Sequence, residues 1–195
     1  MPDANKVHFG LKNVHYALIT YTAGVPSWGT PKAIKGAVNL NLAKEGSDTD
    51  FYADDVKYFH IAGNNGYTGT LEMADFPADM RKDLWNQTIT STGKMLVEDV
   101  NAQPAEFALM FETDGDISPD RFCFYRCVAS RPDVTGATKA ESTEVQTQSC
   151  DITVMPVIDP TASSQINGKV YYRTTADTPT ATFTAFYSAV DDSLS

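Results

Sequence analysis

The residue types that most often carry out chemistry are present in this sequence, but their spacing does not form a known site. The three histidines, His8, His15 and His60, do not form the H-x-x-x-H pair of a zinc-binding helix, and no C-x-x-C pair occurs. No G-x-S-x-G motif marks a hydrolase nucleophile. The sequence therefore predicts no catalytic, cofactor or metal site, and we do not expect an enzyme.

Three further segments match binding or acid–base motifs only in part. Residues 114–120 place oxygen atoms at alternate positions, as in a calcium loop, but Pro119 and Tyr125 replace the glycine and the glutamate that such a loop requires. The glycine-rich stretch 63–69 lacks the Lys-Ser/Thr of a phosphate-binding loop. Asp54 and Asp55 are adjacent, so their carboxylates point to opposite sides of an extended chain. We interpret the first two segments as turns and the two aspartates as a solvated acidic surface.

Composition excludes several classes of protein. The chain has 195 residues, with 15 Lys and Arg against 25 Asp and Glu, and its net charge is −10. Such an acidic surface would repel nucleic acid, because phosphate binding depends on clustered Lys and Arg. Hydrophobic residues make up 42% and charged residues 21%, as in a folded globular protein. The length suits one domain spanning residues 1–195, and no apolar run is long enough for a signal peptide or a membrane span.

The residue frequencies favour strands over helices. Thr occurs 22 times and Leu nine times, while Tyr and Phe add 9 and 10 copies. Apolar and polar residues alternate at period two in residues 36–42, which predicts a half-buried strand. One helix is predicted, with Asp75 as its cap, Pro77 in its first turn and an end near Asn86. Further strands are predicted at residues 7–9, 14–21, 58–62, 67–74, 94–98, 105–113, 121–130, 142–155, 168–175 and 180–190.

These elements predict a mainly β fold, an antiparallel β-sandwich or barrel with one flanking α-helix. The strands at 58–62 and 67–74 flank an Asn-Gly pair, which predicts a hairpin between them. Residues 43–57 are mostly polar and acidic, and we expect a long loop there. A turn is expected at 114–120, and Gly/Pro/Ser/Thr-rich connections at 132–140 and 156–167.

The segment 121–130 is apolar on both faces. Phe122, Phe124 and Val128 fall on one face, and Cys123, Tyr125 and Cys127 on the other. Either the chain itself covers both faces, or one face is buried against another subunit. Two cysteines four residues apart on a strand are too far apart to bridge, so we expect all three thiols to be reduced and to act as small apolar side chains.

Ten short segments carry a resemblance to one family. The chain resembles the major tail tube proteins of long-tailed, non-contractile bacteriophages (siphophages) of Gram-positive bacteria, and the segments occur in order from residue 6 to about residue 155. They are GAVNLNL (36–42), EG (45–46), FYADD (51–55), NNGYTGTLE (64–72), PADMR (77–81), FALMFE (107–112), GD (115–116), RFCFY (121–125), SRP (130–132) and TKAES (138–142).

The resemblance implies a structural virion protein with a fold similar to the type VI secretion tube ring. Copies would form hexameric rings that stack around a tape-measure protein and meet tail tip and tail terminator proteins. DNA would pass through the bore only as transient cargo, without any membrane partner. The protein would be located in the tail tube of the virion, after assembly in the host cytoplasm.

The resemblance also implies an inter-ring role for the expected loop 43–57, which would reach the adjacent ring. The residues expected to make this contact are Glu45, Gly46, Phe51, Tyr52, Asp54 and Asp55. The N-terminal segment and the C-terminal segment after residue 155 are expected to become ordered against neighbouring subunits.

Two other functions suit a β-sandwich. One is a binding module for carbohydrate or a cell surface, which would be a monomer with exposed aromatic residues. The other is an enzyme, for which the sequence shows no site.

Overall fold

Strands form where β-branched and aromatic residues alternate with polar ones, and they dominate the computed structural model of the protein. It describes residues 10–114, 120–134, 136, 138, 146–161 and 164–193. The strands are β1 (Leu11–Thr22), β2 (Val25–Trp28), β3 (Lys32–Ala33), β4 (Ala37–Glu45), β5 (Thr49–Ala53), β6 (Val56–Ile61), β7 (Gly66–Met73), β8 (Thr88–Ile89), β9 (Leu96–Val97), β10 (Glu106–Thr113), β11 (Arg121–Ala129), β12 (Gln148–Met155) and β13 (Tyr171–Arg173). The helices are α1 (Ala78–Trp85) and α2 (Thr180–Ala185).

Nine strands form one antiparallel sheet in the order β2-β1-β10-β11-β12-β7-β4, with β3 also paired to β1 and β13 to β11. Two small sheets stand apart from it, β5 with β6 and β8 with β9. The predicted mainly β, antiparallel fold with a flanking helix is confirmed.

The central strands of the main sheet, β10 and β11, are buried on both faces by their own chain. On one side, Phe107, Leu109 and Phe124 pack with the buried side chains of α1. On the other side, Met110 and Tyr125 pack under a layer that the C-terminal segment supplies through Val157, Ile166, Phe186 and Val190. Of the two alternatives for strand 121–130, cover by the chain itself is therefore confirmed.

A β-bulge changes which side chains of β11 share a face. Phe107 pairs with Cys127 and Leu109 with Phe124, so β11 uses one residue more than β10 over the same stretch. Cys127 therefore lies on the same side as Phe124, whereas Cys123 lies on the opposite side. The predicted grouping of Cys127 with Cys123 is wrong, because strict alternation stops at the bulge.

All three cysteines are free and buried, as predicted. Burial raises the pKa of the Cys123 and Cys150 thiols to about 12, and it raises the pKa of Cys127 as well. These thiols therefore stay protonated and unreactive near neutral pH.

The flanking helix α1 is held by its apolar face and by one buried hydrogen bond. Met80, Leu84 and Trp85 are buried, and the indole Nε1 of Trp85 donates to the carbonyl oxygen of Ala129 over 3.1 Å. The helix begins after Pro77 without a side-chain cap, so the predicted cap at Asp75 is wrong. Its predicted end is confirmed, since Asn86 takes a left-handed conformation there.

Three sequence predictions for other elements are wrong. Residues 43–57 are not a loop, because β4 runs to Glu45 and β5 pairs with β6. Because β6 pairs with β5, the predicted hairpin around Asn65-Gly66 does not form. Strand β7 pairs with β4 and β12 instead. Gly66 is needed because its φ is 112° and a Cβ there would overlap the carbonyl oxygen of Val154. The predicted strand 180–190 contains α2.

Several other predictions fall on residues outside the described part of the chain. They are the strand at 7–9, residues 115–119 of the expected turn and the start of the strand predicted from residue 142.

The C-terminal segment is anchored to the sheet by a polar cluster. The Arg121 guanidinium lies 3.8 Å from the centre of the Phe183 ring, and its Nε donates to Glu112 over 2.9 Å. Asn13 donates to the other Glu112 oxygen over 2.7 Å, and Tyr187 donates to Glu112 over 3.4 Å. The segment thus has partners within its own chain, and its expected ordering by neighbouring copies stays a prediction.

The backbone crossing at Gly69 gives a test of this sheet. A Cβ at position 69 would overlap the carbonyl oxygen of Asn41 on the neighbouring strand β4. We expect Gly69→Ala to lower the free energy of unfolding by about 1–3 kcal/mol, as overpacked interiors do. Urea unfolding measures the change, and the control is Gly136→Ala, where a Cβ meets no atom within 4 Å. Equal midpoints for the two variants would contradict the account.

Candidate assembly surface

Strands β5 and β6 form a two-stranded hairpin outside the main sheet. Its ladder runs from Thr49 opposite Ile61 to Ala53 opposite Val56, with a bulge that leaves Tyr58 without a direct partner. Within the described residues, the side-chain hydrogen bonds and ion pairs of residues 49–61 stay inside this hairpin. An isolated two-stranded hairpin is at best marginally stable in water, so this one is suited to packing against another surface.

The hairpin has one apolar face that its own chain leaves uncovered. Phe51 pairs directly with Phe59, and the alternation places Ala53, Val56 and Ile61 on the same face. The exposed fractions are 58% for Phe51, 55% for Phe59 and 53% for Ile61. Contiguous exposed apolar side chains of this kind mark interaction sites in folded proteins.

The opposite face of the hairpin is polar and internally paired. Asp50 accepts from Lys57 over 2.7 Å and contacts the Nδ1 atom of His60 at 2.5 Å. The hydrogen bond to Asp50 raises the pKa of His60, and the hydrogen bonds from Lys57 and His60 lower the pKa of Asp50. This pairing holds the two strands together on the side away from the apolar face.

The tip of the hairpin is acidic and tightly turned. Asp54 and Asp55 have φ values of 52° and 60°, so both central residues of the turn are left-handed, as in the type I′ turns that suit twisted hairpins. No salt bridge involves either carboxylate among the described residues. The hairpin therefore presents two free negative charges beyond its apolar face.

A narrow neck joins the hairpin to the main sheet. A Cβ at Gly46 would overlap the carbonyl oxygen of Gly63, so only glycine allows the two chain segments to approach this closely. Beside this crossing, the amide of Asn65 donates to the carbonyl oxygen of Glu45 over 2.8 Å. The amide of Gly63 also donates to Asp48 Oδ1 over 3.3 Å. The neck fixes where the hairpin leaves β4 and re-enters at β7.

The six residues expected at an inter-ring contact fall on three parts of this unit. Glu45 and Gly46 form the neck, Asp54 and Asp55 form the tip, and Phe51 and Tyr52 lie on opposite faces of β5. The role in inter-ring contact itself stays a prediction.

Sequence reasoning predicted a strand at 58–62 but missed its pairing with β5, and so left the residues of β6 out of the expected contact. Val56, Tyr58, Phe59 and Ile61 are all exposed, and they contribute as much apolar surface as β5. The signal was present, because Asp54-Asp55 separates two runs rich in aromatic and β-branched residues. The stronger Asn-Gly signal nearby led to the other pairing.

No group of three or more His, Cys, Asp or Glu side chains is arranged to hold a metal ion in the described part of the chain. Within the same residues, no helix is long and apolar enough to cross a membrane.

No protein-family model matches the sequence, and no curated protein matches it significantly.

The polar face of the hairpin predicts a pH dependence. The fold raises the pKa of His60 above its ordinary value of 6.5, so the protonated ring stabilises the hairpin. This stabilisation is complete below pH 6.5 and is lost as the pH rises through the pKa of His60 in the folded protein. The fold lowers the pKa of Asp50, so its ionised carboxylate also stabilises the hairpin. This stabilisation is present above pH 3.8 and is lost as the pH falls through the pKa of Asp50 in the folded protein. The hairpin should therefore be best ordered between these two pH values.

NMR titration of the His60 ring tests this pairing. The titration midpoint should lie above 6.5 in the parent and should fall in Asp50→Asn. The control is Asp54→Asn at the tip, which leaves the pairs of Asp50 intact. A midpoint that Asp50→Asn does not move would show that the pairing does not form in solution.

Proposed function

We propose that this protein is the subunit of a tail tube, which assembles with copies of itself into stacked rings that conduct DNA. The single observation that carries the proposal is the apolar face of the β5–β6 hairpin, which the subunit leaves uncovered. Ten short segments resemble siphophage tail tube proteins and follow one another in the same order along the chain, and this resemblance indicates that the assembly is a tail tube. The partners would be further copies, a tape-measure protein, and tail tip and terminator proteins.

The distribution of apolar surface supports self-assembly. Strands β10 and β11 are covered on both faces by the same chain, so the core of one copy does not need a neighbour to cover it. The hairpin extends from it on a glycine neck and keeps its aromatic residues exposed. A folded body with one projecting apolar element can make heterologous contacts, which close into rings or extend into filaments.

The charge of the chain suits a conduit for DNA. With a net charge of −10 per copy, a ring of six would carry about −60 before counterions bind. A bore of this sign would repel DNA at short range and would not hold it by phosphate contacts. DNA is therefore expected as cargo that passes through, not as a ligand.

The second candidate is a binding module for carbohydrate or a cell surface. It is favoured by Tyr52 and Tyr58, which are the most exposed aromatic residues of the hairpin. Such a module would remain a monomer at high concentration, whereas a tube subunit would assemble. Light scattering and negative-stain microscopy separate the two.

Polar substitutions on the apolar face should abolish assembly without unfolding the subunit. Phe51→Ser combined with Phe59→Ser removes the paired aromatic rings, and central interface residues often contribute 2 kcal/mol or more. We expect the concentration needed for assembly to rise at least about 30-fold. Circular dichroism should show an unchanged fold, because both rings are exposed in the subunit.

The matched control replaces two exposed apolar residues elsewhere, Val134→Ser with Ile158→Ser. This variant should assemble as the parent does. Parent-like rings or tubes from the Phe51/Phe59 variant would contradict the proposal, as would a parent that stays monomeric at every concentration.

A further inference from the structure

A second exposed apolar surface lies on the other small hairpin, β8–β9. Ile89 and Leu96 are a cross-strand pair on one face of this hairpin, whereas Met95 and Val97, which flank Leu96, lie on the other face. Ile89 and Leu96 are exposed, at 43% and 38%. We call these two residues the β8–β9 patch. It belongs to a different sheet from the β5–β6 hairpin, so one copy presents two separate apolar surfaces.

The tips of the two hairpins carry opposite charges. Lys94 lies in the β8–β9 turn with a φ of 52°, and its ammonium makes no salt bridge with a described residue. Asp54 and Asp55 occupy the corresponding position in the β5–β6 hairpin, also without a salt bridge among the described residues. Each apolar surface therefore ends in a free charge that complements the other.

We propose that the β5–β6 hairpin of one copy docks on the β8–β9 patch of a second copy, with Asp54 and Asp55 facing Lys94. This inference rests on the proposed self-assembly and names the surface that receives the hairpin. The occupant is another copy of this chain, because the two surfaces match in both apolar character and charge. Two different patches that fit each other also give the heterologous contact that rings and stacks require.

The apolar face of the hairpin supplies only part of the area of a stable interface. Aromatic side chains bury about 150–250 Å² each, and the two on this face, Phe51 and Phe59, are more than half exposed. Together they offer roughly 170–280 Å², against about 800 Å² per partner in a standard interface. The β8–β9 patch and the charged tips supply the complementary side, and the charge pairing fixes the orientation.

Charge reversal with rescue tests the proposal. Lys94→Glu alone and Asp54→Lys with Asp55→Lys should each place like charges at the contact and raise the concentration needed for assembly about 10-fold or more at low salt. Combining the three substitutions restores opposite charges and should return that concentration to within about 3-fold of the parent. The control is Lys169→Glu, an exposed lysine without a salt bridge among the described residues, which should assemble normally.

Cross-linking gives a second readout that does not depend on the strength of the charge effect. Asp54→Cys and Lys94→Cys are prepared as separate proteins, mixed, allowed to assemble and treated with a short bis-maleimide. The native thiols are buried with raised pKa values, so only the introduced cysteines should react. The mixture should yield a cross-linked dimer, whereas each protein alone should not.

The outcomes separate this inference from the proposed function. Tubes that form equally well with either charge reversal would overturn the docking proposal and leave tube assembly standing. Self-cross-linking of Asp54→Cys would show that hairpins pack on hairpins, and no cross-link in assembled material would show a different partner surface. Both results overturn the inference. A parent protein that never assembles overturns the inference together with the proposed function.

Discussion

Both faces of β11 carry apolar side chains, and the fold depends on covering each of them. Helix α1 and the neighbouring strands enclose Phe124 and Cys127 on one side, while the C-terminal segment covers Cys123 and Tyr125 on the other. Alternation along β11 supplies both layers, and the bulge moves Cys127 to the side of Phe124. Because the chain supplies both covers itself, one copy contains both layers of the core.

The β5–β6 hairpin lies outside this core and keeps its apolar side chains exposed. Apolar surface that remains exposed after such a core has formed is not needed for folding, and the β5–β6 hairpin concentrates it on one face. The Gly46–Gly63 crossing separates the hairpin from the sheet, and the pairs between Asp50, Lys57 and His60 hold its strands together. In the proposed assembly, the pairs on its polar face would hold the hairpin in shape before it binds, and an ordered element loses less conformational entropy on binding.

Much of the fold could be predicted from local patterns, and the errors have physical causes. Strands β1, β4, β10 and β11 and helix α1 follow the periodicity and turn signals of their own residues. Alternation failed at Cys127, because a bulge depends on the register with β10 and leaves no mark in a single strand. Asn65-Gly66 has the sequence of a hairpin turn, but position 66 requires glycine for a different reason. Its backbone lies so close to Val154 that a Cβ would overlap the carbonyl oxygen of that residue.

The exposed hairpin begins within residues 43–57, which the sequence predicted to be a loop. The acidic composition of residues 43–57 favoured the prediction of a loop. The pairing of Phe51 with Phe59 follows only once the turn is placed at Asp54 and Asp55. Residues 180–190 show the same limit, since the partners that hold α2 in place, Arg121 and Glu112, lie far away in the sequence.

The central claim is that the apolar face of the β5–β6 hairpin becomes buried between copies. Hydroxyl-radical footprinting of dispersed and assembled protein measures this directly, because oxidation of a side chain reports its contact with water. Our account predicts that Phe51 and Phe59 are oxidised readily in the dispersed protein and protected in the assembled protein, while Ile158 on the subunit surface changes little. Equal oxidation of the two phenylalanines in both states would contradict it.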